Sequence, residues 1–146
     1  MSVGNLFNHT LQQTSDWLSA ISASQESINS EQRAYAALRA VLHQLRDRLT
    51  VEEATDLGAQ LPLLVRGIYY EGWNPARTPE KVHRDEFIFG VEEKLSGHPE
   101  IKAEEAIHAT FKVLNERITP GEINHVVGML PKDLQRLWPD RRSGTA

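Results

Sequence analysis

The sequence predicts an all-α protein that forms one compact globular domain. Apolar residues recur at spacings of three and four along most of the 146-residue chain, as they do on one face of a helix. No stretch alternates apolar and polar residues between hairpin turns, so we expect no strands. A segment of the first half also returns, in degenerate form, 69 positions later. We therefore predict about eight helices, formed by an internal duplication of a four-helix unit.

The duplication is clearest between residues 48–69 and residues 117–138. The identical pairs at this offset are Ala37/Ala106, Ala40/Ala109, Leu45/Leu114, Arg48/Arg117, Thr50/Thr119, Glu53/Glu122, Leu61/Leu130 and Pro62/Pro131. Further upstream, Trp17, Leu18 and Ile21 align with Phe87, Ile88 and Val91 at an offset of 70. We expect a single domain over residues 1–139, with copy one at about 5–73, copy two at about 79–138, and a flexible tail at 140–146.

The first two helices are predicted from their apolar stripes. A helix over residues 5–24 would turn inward Phe7, Leu11, Thr14, Leu18 and Ile21, with Leu6 and Trp17 beside them. Ser30 is placed to cap a second helix, whose stripe is Ala34, Leu38, Val41, Leu42, Leu45 and Leu49. Its other face carries Arg39, His43 and Arg46, which we interpret as a solvated face; phosphate binding is the alternative.

Matching caps predict the next helix of each copy. Thr50 and Glu53 have the spacing of a capping box, and so do Thr119 and Glu122. The first helix should cover residues 51–59 and the second residues 121–128. Pro120 suits the first helical position, because its missing N–H has no helical partner there.

A Leu-Pro step follows in each copy and predicts a bend. Proline disfavours the helical conformation of the residue before it, so one helix should end at Leu61 or Leu130 and another begin at the proline. The new helices should cover residues 62–71 and 131–138. Gly72 then suits the left-handed position that ends the first of them, with Trp73 packed back on it.

Two further helices complete the second copy. Thr78 and Pro79 indicate the cap and first residue of a fifth helix, with Arg84, Phe87, Ile88, Val91 and Leu95 on one side. A sixth helix should turn inward Ala103, Ile107, Thr110, Phe111, Leu114 and Ile118.

Composition narrows the class of protein. The chain has no cysteine, which excludes disulfides and thiol catalysis and, with no signal-peptide pattern, favours the cytoplasm. No apolar run approaches the roughly 20 residues of a membrane span. A net charge of -4 argues against a nucleic-acid partner.

Four short elements give the chain a family resemblance. They are DRLT at residues 47–50, QLP at 60–62, RGIYYEGW at 66–73 and HRDEF at 83–87. With these elements in this order, residues 7–139 resemble the bacterial family called domain of unknown function 2267. The resemblance implies a helical fold and a bacterial source. It implies no activity and supplies no catalytic residues.

Polar and aromatic residues concentrate at the end of copy one. The candidate binding surface comprises Arg66, Tyr69, Tyr70, Glu71, Trp73, Arg77, His83 and Asp85. Tyr, Trp and Arg are enriched in the energetic centres of protein interfaces, and most of the cluster has no counterpart in copy two. The alternative is that these side chains only pack the two copies together.

The sequence contains no recognisable catalytic or cofactor motif. Nucleophile-elbow and phosphate-loop patterns are absent, no two histidines have His-x-x-x-His spacing, and adjacent carboxylates such as Glu52 and Glu53 are interpreted as solvated. We therefore predict no metal, no cofactor and a non-enzymatic interaction module that binds a protein partner or itself. The alternative is a small-ligand-binding or enzymatic cleft between the copies, lined by Tyr69, Tyr70, Glu71, His83 and Asp85.

Overall fold

The helices of the protein follow the predicted order. The computed structural model describes residues 3–139, and the predicted tail at 140–146 lies outside them. The α-helices are α1 Val3–Ser24, α2 Glu31–Arg46, α3 Val51–Ala59, α4 Leu63–Tyr70, α5 Arg84–Lys94, α6 Ala103–Arg117, α7 Pro120–Gly128 and α8 Lys132–Gln135. Two 3₁₀ turns lie at Glu26–Ile28 and Pro75–Arg77. No strand occurs within residues 3–139, so the predicted all-α class is confirmed.

Helices α2 and α6 pack against each other at the centre of the molecule. Helix α1 lies against both, and α4 and α5 also pack on α2. Because α2 has neighbours on several sides, every residue from Ala40 to Arg46 is buried. One continuous apolar cluster includes residues of both halves of the chain, which makes the protein compact.

Three of the predicted N-cap hydrogen bonds form, although the amide of Thr119 donates to Gln60 Oε1 at 3.1 Å and not to the Glu122 side chain of its predicted capping box. The Ser30 side chain accepts a hydrogen bond from Arg33 N at 3.1 Å, and Thr50 accepts one from Glu53 N at 3.2 Å. Thr119 accepts one from Glu122 N at 3.4 Å, and Pro120 is the first residue of α7. Local sequence therefore determines where these three helices begin.

Both Leu-Pro steps form corners. The backbone of Pro62 has φ −60° and ψ 157°, and that of Pro131 has φ −58° and ψ 153°. Leu61 and Leu130 are both buried at the corner. The corners agree with the predicted duplication, which itself stays a prediction.

The predicted start of α5 is wrong. Thr78 does not cap it, because its hydroxyl donates to Pro75 O at 3.2 Å within the 3₁₀ turn. The chain then runs on, and Glu80 N donates to Asp47 O at 2.8 Å. Helix α5 begins at Arg84, where the Glu86 carboxylate accepts from His83 N at 3.1 Å.

The eighth helix is shorter than predicted. It ends at Gln135, and the two amides that follow bond three residues back, Leu137 N to Leu134 O at 3.0 Å and Trp138 N to Gln135 O at 3.1 Å. This tighter turn places the Trp138 ring on Phe111, with ring centroids 4.0 Å apart and planes 8° apart. Stacking on the core therefore replaces the last turn of the helix.

The predicted inward face of α1 is only partly correct. Trp17, Leu18 and Ile21 are buried, as expected. Leu6, Phe7 and Leu11 are 62%, 44% and 52% exposed, because the first turns of the helix extend past the core. The stripe therefore has a buried half and an exposed half.

The predicted solvated face of α2 is wrong. His43 and Arg46 are buried, and only Arg39 is partly exposed. His43 Nε2 donates to Ile68 O at 2.7 Å, while Arg46 Nη1 donates to Tyr69 O at 2.7 Å and Glu71 O at 2.9 Å. These two side chains hold α4 against α2 and are not presented to a phosphate. Among the described helices, none has the length and apolar character needed to span a membrane.

Candidate functional site

Tyr69, the centre of the predicted surface, is a core residue. Its side chain is fully buried, and its hydroxyl donates to Ala54 O at 2.7 Å. Burial raises the pKa of the Tyr69 hydroxyl above its ordinary value, so it stays neutral. Tyr69 joins α4 to α3 and cannot contact a partner in this state.

Arg66 also has a structural position. Its guanidinium donates to three backbone carbonyls of the first Leu-Pro corner, Gly58 O at 2.9 Å, Ala59 O at 3.2 Å and Leu61 O at 2.9 Å. These carbonyls lie at or just after the C-terminal end of α3, where the regular helical hydrogen bonds stop, and Gly58 O also accepts from Leu61 N at 3.1 Å. Arg66 therefore caps α3 from α4.

Tyr70 and Trp73 are half-buried and pack on each other. Their ring centroids are 5.5 Å apart. The Tyr70 ring lies over Gly58, where an added Cβ would overlap its hydroxyl and lie 2.7 Å from Cζ. Gly72, which lies between Tyr70 and Trp73 in the sequence, has φ +75° and so takes the predicted left-handed conformation. The two aromatic residues therefore pack at the end of α4 and are only partly accessible to solvent.

The charged members of the predicted surface point to different partners. Glu71 pairs with Arg39 at 2.9 Å, and Arg77 is exposed. Asp85 is 96% exposed and lies 3.5 Å from Arg84. His83 is 75% exposed, and its Nδ1 lies 3.3 Å from a carboxylate oxygen of Asp133.

The residues predicted to line a cleft between the halves have different surroundings: Tyr69 is buried, Glu71 pairs with Arg39, and His83 faces Asp133. Asp133 is the carboxylate at His83, and a hydrogen bond from Arg84 N lowers the Asp133 pKa. A pocket of about 160 Å³ does lie nearby, lined by Asp47, Gly72, Asn74, Arg77, Thr78 and Glu80. It includes none of the predicted lining residues and is smaller than the roughly 300 Å³ typical of small-molecule sites.

The exposed end of α1 is the first feature that sequence reasoning placed wrongly. We call residues 4–13 the α1 extension. Its exposed apolar side chains, Leu6, Phe7 and Leu11, continue the stripe that is buried from Trp17 onward. The extension contains no Asp, Glu, Lys or Arg, whereas 25% of the whole chain is charged. Of its side chains, only Thr10 is buried.

The structure also brings together Glu53, Glu122 and His125, a cluster that the sequence did not predict, where α3 packs on α7. One ligand atom from each residue lies within 4.8 Å of the other two. Glu122 is 8% exposed, and Oε2 of both glutamates is buried without a hydrogen-bond partner. Burial, and then the charge of Glu53, raises the pKa of Glu122. Glu53 is thus not the solvated side chain that was expected.

These features define a compact, all-helical domain with a buried polar corner, an exposed apolar helix end and a histidine–carboxylate cluster. The family model described as "Uncharacterized conserved protein (DUF2267)" matches residues 14–137. The chain therefore belongs to this family, as its four short elements predicted. No curated protein matches the chain. The family match begins just after the α1 extension.

Proposed function

We propose that the protein is a non-enzymatic helical interaction module that self-associates through the α1 extension. The observation that carries this proposal is the exposure of Leu6, Phe7 and Leu11 on one helix face. An apolar face of this kind is stabilised when a second surface removes it from water. The predicted surface at the end of α4 supports the proposal less well, because Tyr69 and Arg66 serve the fold.

The position of the extension supports a role outside the folding unit. Helix α5 begins at Arg84, which aligns with Thr14 at the offset of 70. Residues 4–13 thus precede both the aligned part of α1 and the family match. A segment that precedes the family match and exposes three large apolar side chains has the character of a docking element.

The charge of the extension supports a second copy of the chain as its partner. In a twofold interface each residue meets the same surface on the other copy, so a charged face would oppose itself. The extension contains no Asp, Glu, Lys or Arg, and the first such residue of the chain is Asp16. The whole chain, by contrast, carries a net charge of -4. Two extensions can therefore pack side by side without repulsion between like charges.

Sedimentation velocity over a range of protein concentrations tests this proposal. We expect the wild-type protein to shift from monomer to dimer, and the double variant Phe7→Gln, Leu11→Gln to stay monomeric. Leu63→Gln, at an exposed leucine of α4, is the matched control and should dimerise like wild type. Arg77→Ala tests the surface predicted from sequence. A wild-type protein that stays monomeric, or a double variant that still dimerises, would overturn the proposal.

The proposal includes three further points. The internal duplication is supported by the paired caps at Thr50 and Thr119 and by the two Leu-Pro corners. A bacterial source is what the family resemblance implies. The cytoplasm is supported by the absence of cysteine from the sequence. Fractionation of cells that express the untagged protein tests the compartment, and recovery outside the cytoplasm would contradict it.

A further inference from the structure

We propose that Glu53, Glu122 and His125 bind one divalent transition-metal ion, which joins α3 to α7. The ligand atoms of the three side chains lie within 4.8 Å of one another. In a tetrahedral site with ligand distances of about 2.1 Å, two ligand atoms lie about 3.4 Å apart, so side-chain movements of about 1 Å complete the site.

The buried carboxylate oxygens point independently to a cation. Glu122 is 8% exposed, and its Oε2 has no hydrogen-bond partner. Oε2 of Glu53 is buried without a partner in the same way. Such atoms are rare in native proteins, because an unpaired buried oxygen loses its hydration and gains nothing in return. A bound cation would replace the lost hydration of both glutamates at once.

The sequence places the ligands on facing helices. Glu122 and His125 are three residues apart on α7 and therefore share one face. Glu53 comes from α3, which packs on α7. Asp56, one turn beyond Glu53, is close enough for its charge to contribute to the raised pKa of Glu122. The remaining coordination positions would be filled by water.

The ligand set selects the class of ion. One imidazole nitrogen with two carboxylates suits Zn²⁺, Mn²⁺ or Fe²⁺, whereas Mg²⁺ and Ca²⁺ prefer oxygen alone. His125 is exposed, which leaves a path for the ion from solvent. The His-x-x-x-His spacing does not reveal this site, because only one of its three ligands is a histidine and the two carboxylates lie on different helices.

Calorimetric titration of the untagged protein with Zn²⁺ tests the site. We expect one Zn²⁺ per chain, and at least a tenfold weaker affinity, about the effect of losing even an outer-shell partner, for Glu122→Gln and for His125→Gln. Two matched controls should bind like wild type: Glu52→Gln, an exposed neighbour on α3, and His83→Gln, which removes the other histidine–carboxylate pair. A wild-type protein that binds no Zn²⁺, or a Glu122→Gln variant of undiminished affinity, would overturn the proposal.

Thermal unfolding separates metal binding from a simple proton-sharing pair of glutamates. Zn²⁺ should raise the melting temperature of wild type, because an ion that binds only the folded state stabilises it. Without Zn²⁺, Glu122→Gln should melt at or above the wild-type temperature, since it removes a buried charge next to Glu53. With Zn²⁺ it should show no further rise. A melting temperature of wild type that does not respond to Zn²⁺, or a rise as large in Glu122→Gln, would sink the idea.

Discussion

The two Leu-Pro corners have nearly the same backbone geometry but are held by different side chains. At the second corner, Gln135 Nε2 donates to Leu130 O at 2.9 Å. Arg66, 69 positions earlier in the chain, makes the equivalent bond to Leu61 O, also at 2.9 Å, and adds two more to Gly58 and Ala59. The carbonyl before the proline is thus satisfied in both corners, by a guanidinium in one and by an amide in the other.

The helices that follow the two corners, α4 and α8, also differ in the contacts that hold their ends. Helix α4 has eight residues, and the buried Arg46 of α2 donates to carbonyls at its end. Helix α8 has four residues, and stacking of Trp138 on Phe111 follows it. The comparison teaches that the helix after a Leu-Pro corner can end against a buried polar network, as α4 does, or against aromatic packing, as α8 does. A substitution in the polar network would leave more buried hydrogen-bonding groups without a partner.

Replacing Arg46 by Ala should have the largest effect of the substitutions considered. The change would leave Tyr69 O and Glu71 O without their donor and Asp47 without its charged partner at 3.0 Å. We expect a loss of about 3–5 kcal/mol in the free energy of unfolding, measured with urea. Arg39→Ala is the control, because this partly exposed arginine pairs with Glu71 at the surface and should cost under about 1 kcal/mol. Similar losses in the two variants would contradict the assigned importance of burial.

Alanine substitutions at Arg66 and Gln135 compare the corners directly. Arg66→Ala removes three hydrogen bonds from a charged donor, and we expect a loss of about 2 kcal/mol. Gln135→Ala removes one neutral hydrogen bond and should cost about 1 kcal/mol. Urea unfolding of both variants measures the difference. If Gln135→Ala were the more damaging, the corners would not differ in the way proposed.

Mild acid should destabilise the folded protein through His43. Burial is the main cause that lowers the His43 pKa from 6.5, and the neutral ring donates to Ile68 O. Because the unfolded chain then binds a proton more readily than the folded protein, stability is lost as pH falls below about 6.5 toward the lower, folded-state pKa. The slope should not exceed about 1.4 kcal/mol per pH unit.

His43→Gln, which keeps a neutral donor, should flatten this pH dependence. The proteins with and without His43→Gln are best compared in a Glu122→Gln background. The raised pKa of Glu122 makes stability fall with rising pH, which is opposite to the effect of His43. If His43→Gln lost stability in mild acid as much as the protein with His43, the loss would have to come from another titratable group.

The two caps should give the smallest difference. Thr50→Ala should cost about 1 kcal/mol, and Thr119→Ala slightly less, because Pro120 already favours the start of α7. The cap bond at Thr50 is also shorter, 3.2 Å against 3.4 Å at Thr119. Thermal unfolding of the two variants tests the order. A larger loss at Thr119 would instead point to its contacts with the Gln60 amide across the halves.

The parts of the fold that could be predicted from sequence are those that depend on neighbouring residues. A cap such as Thr50 acts on an amide three residues away, so its effect is visible in the sequence. The burial of His43 and Arg46 was missed because α2 is surrounded, and helical periodicity cannot distinguish faces that are all inside. The exposure of Phe7 was missed for the opposite reason, since periodicity does not show where the core ends.

The candidate sites were harder to predict because they depend on distant segments. Glu53 and Glu122 were recognised as capping residues, but their mutual approach follows from the packing of α3 on α7. The burial of Tyr69 was missed for a related reason. A tyrosine provides both a ring for the core and a hydroxyl for a buried carbonyl, and residue type alone does not tell this use from partner binding.

The segment between the halves, residues 71–83, has mechanical consequences. Glu80 N donates to Asp47 O of the first half, and Lys81 Nζ donates to Met129 O of the second. At its end, the amide of Arg84 donates to Asp133. A rotation of one half against the other would have to break these bonds together with the packing of α2 on α6. The two halves should therefore tumble as one rigid body, and a protease should find this segment a poor substrate despite its prolines and exposed side chains.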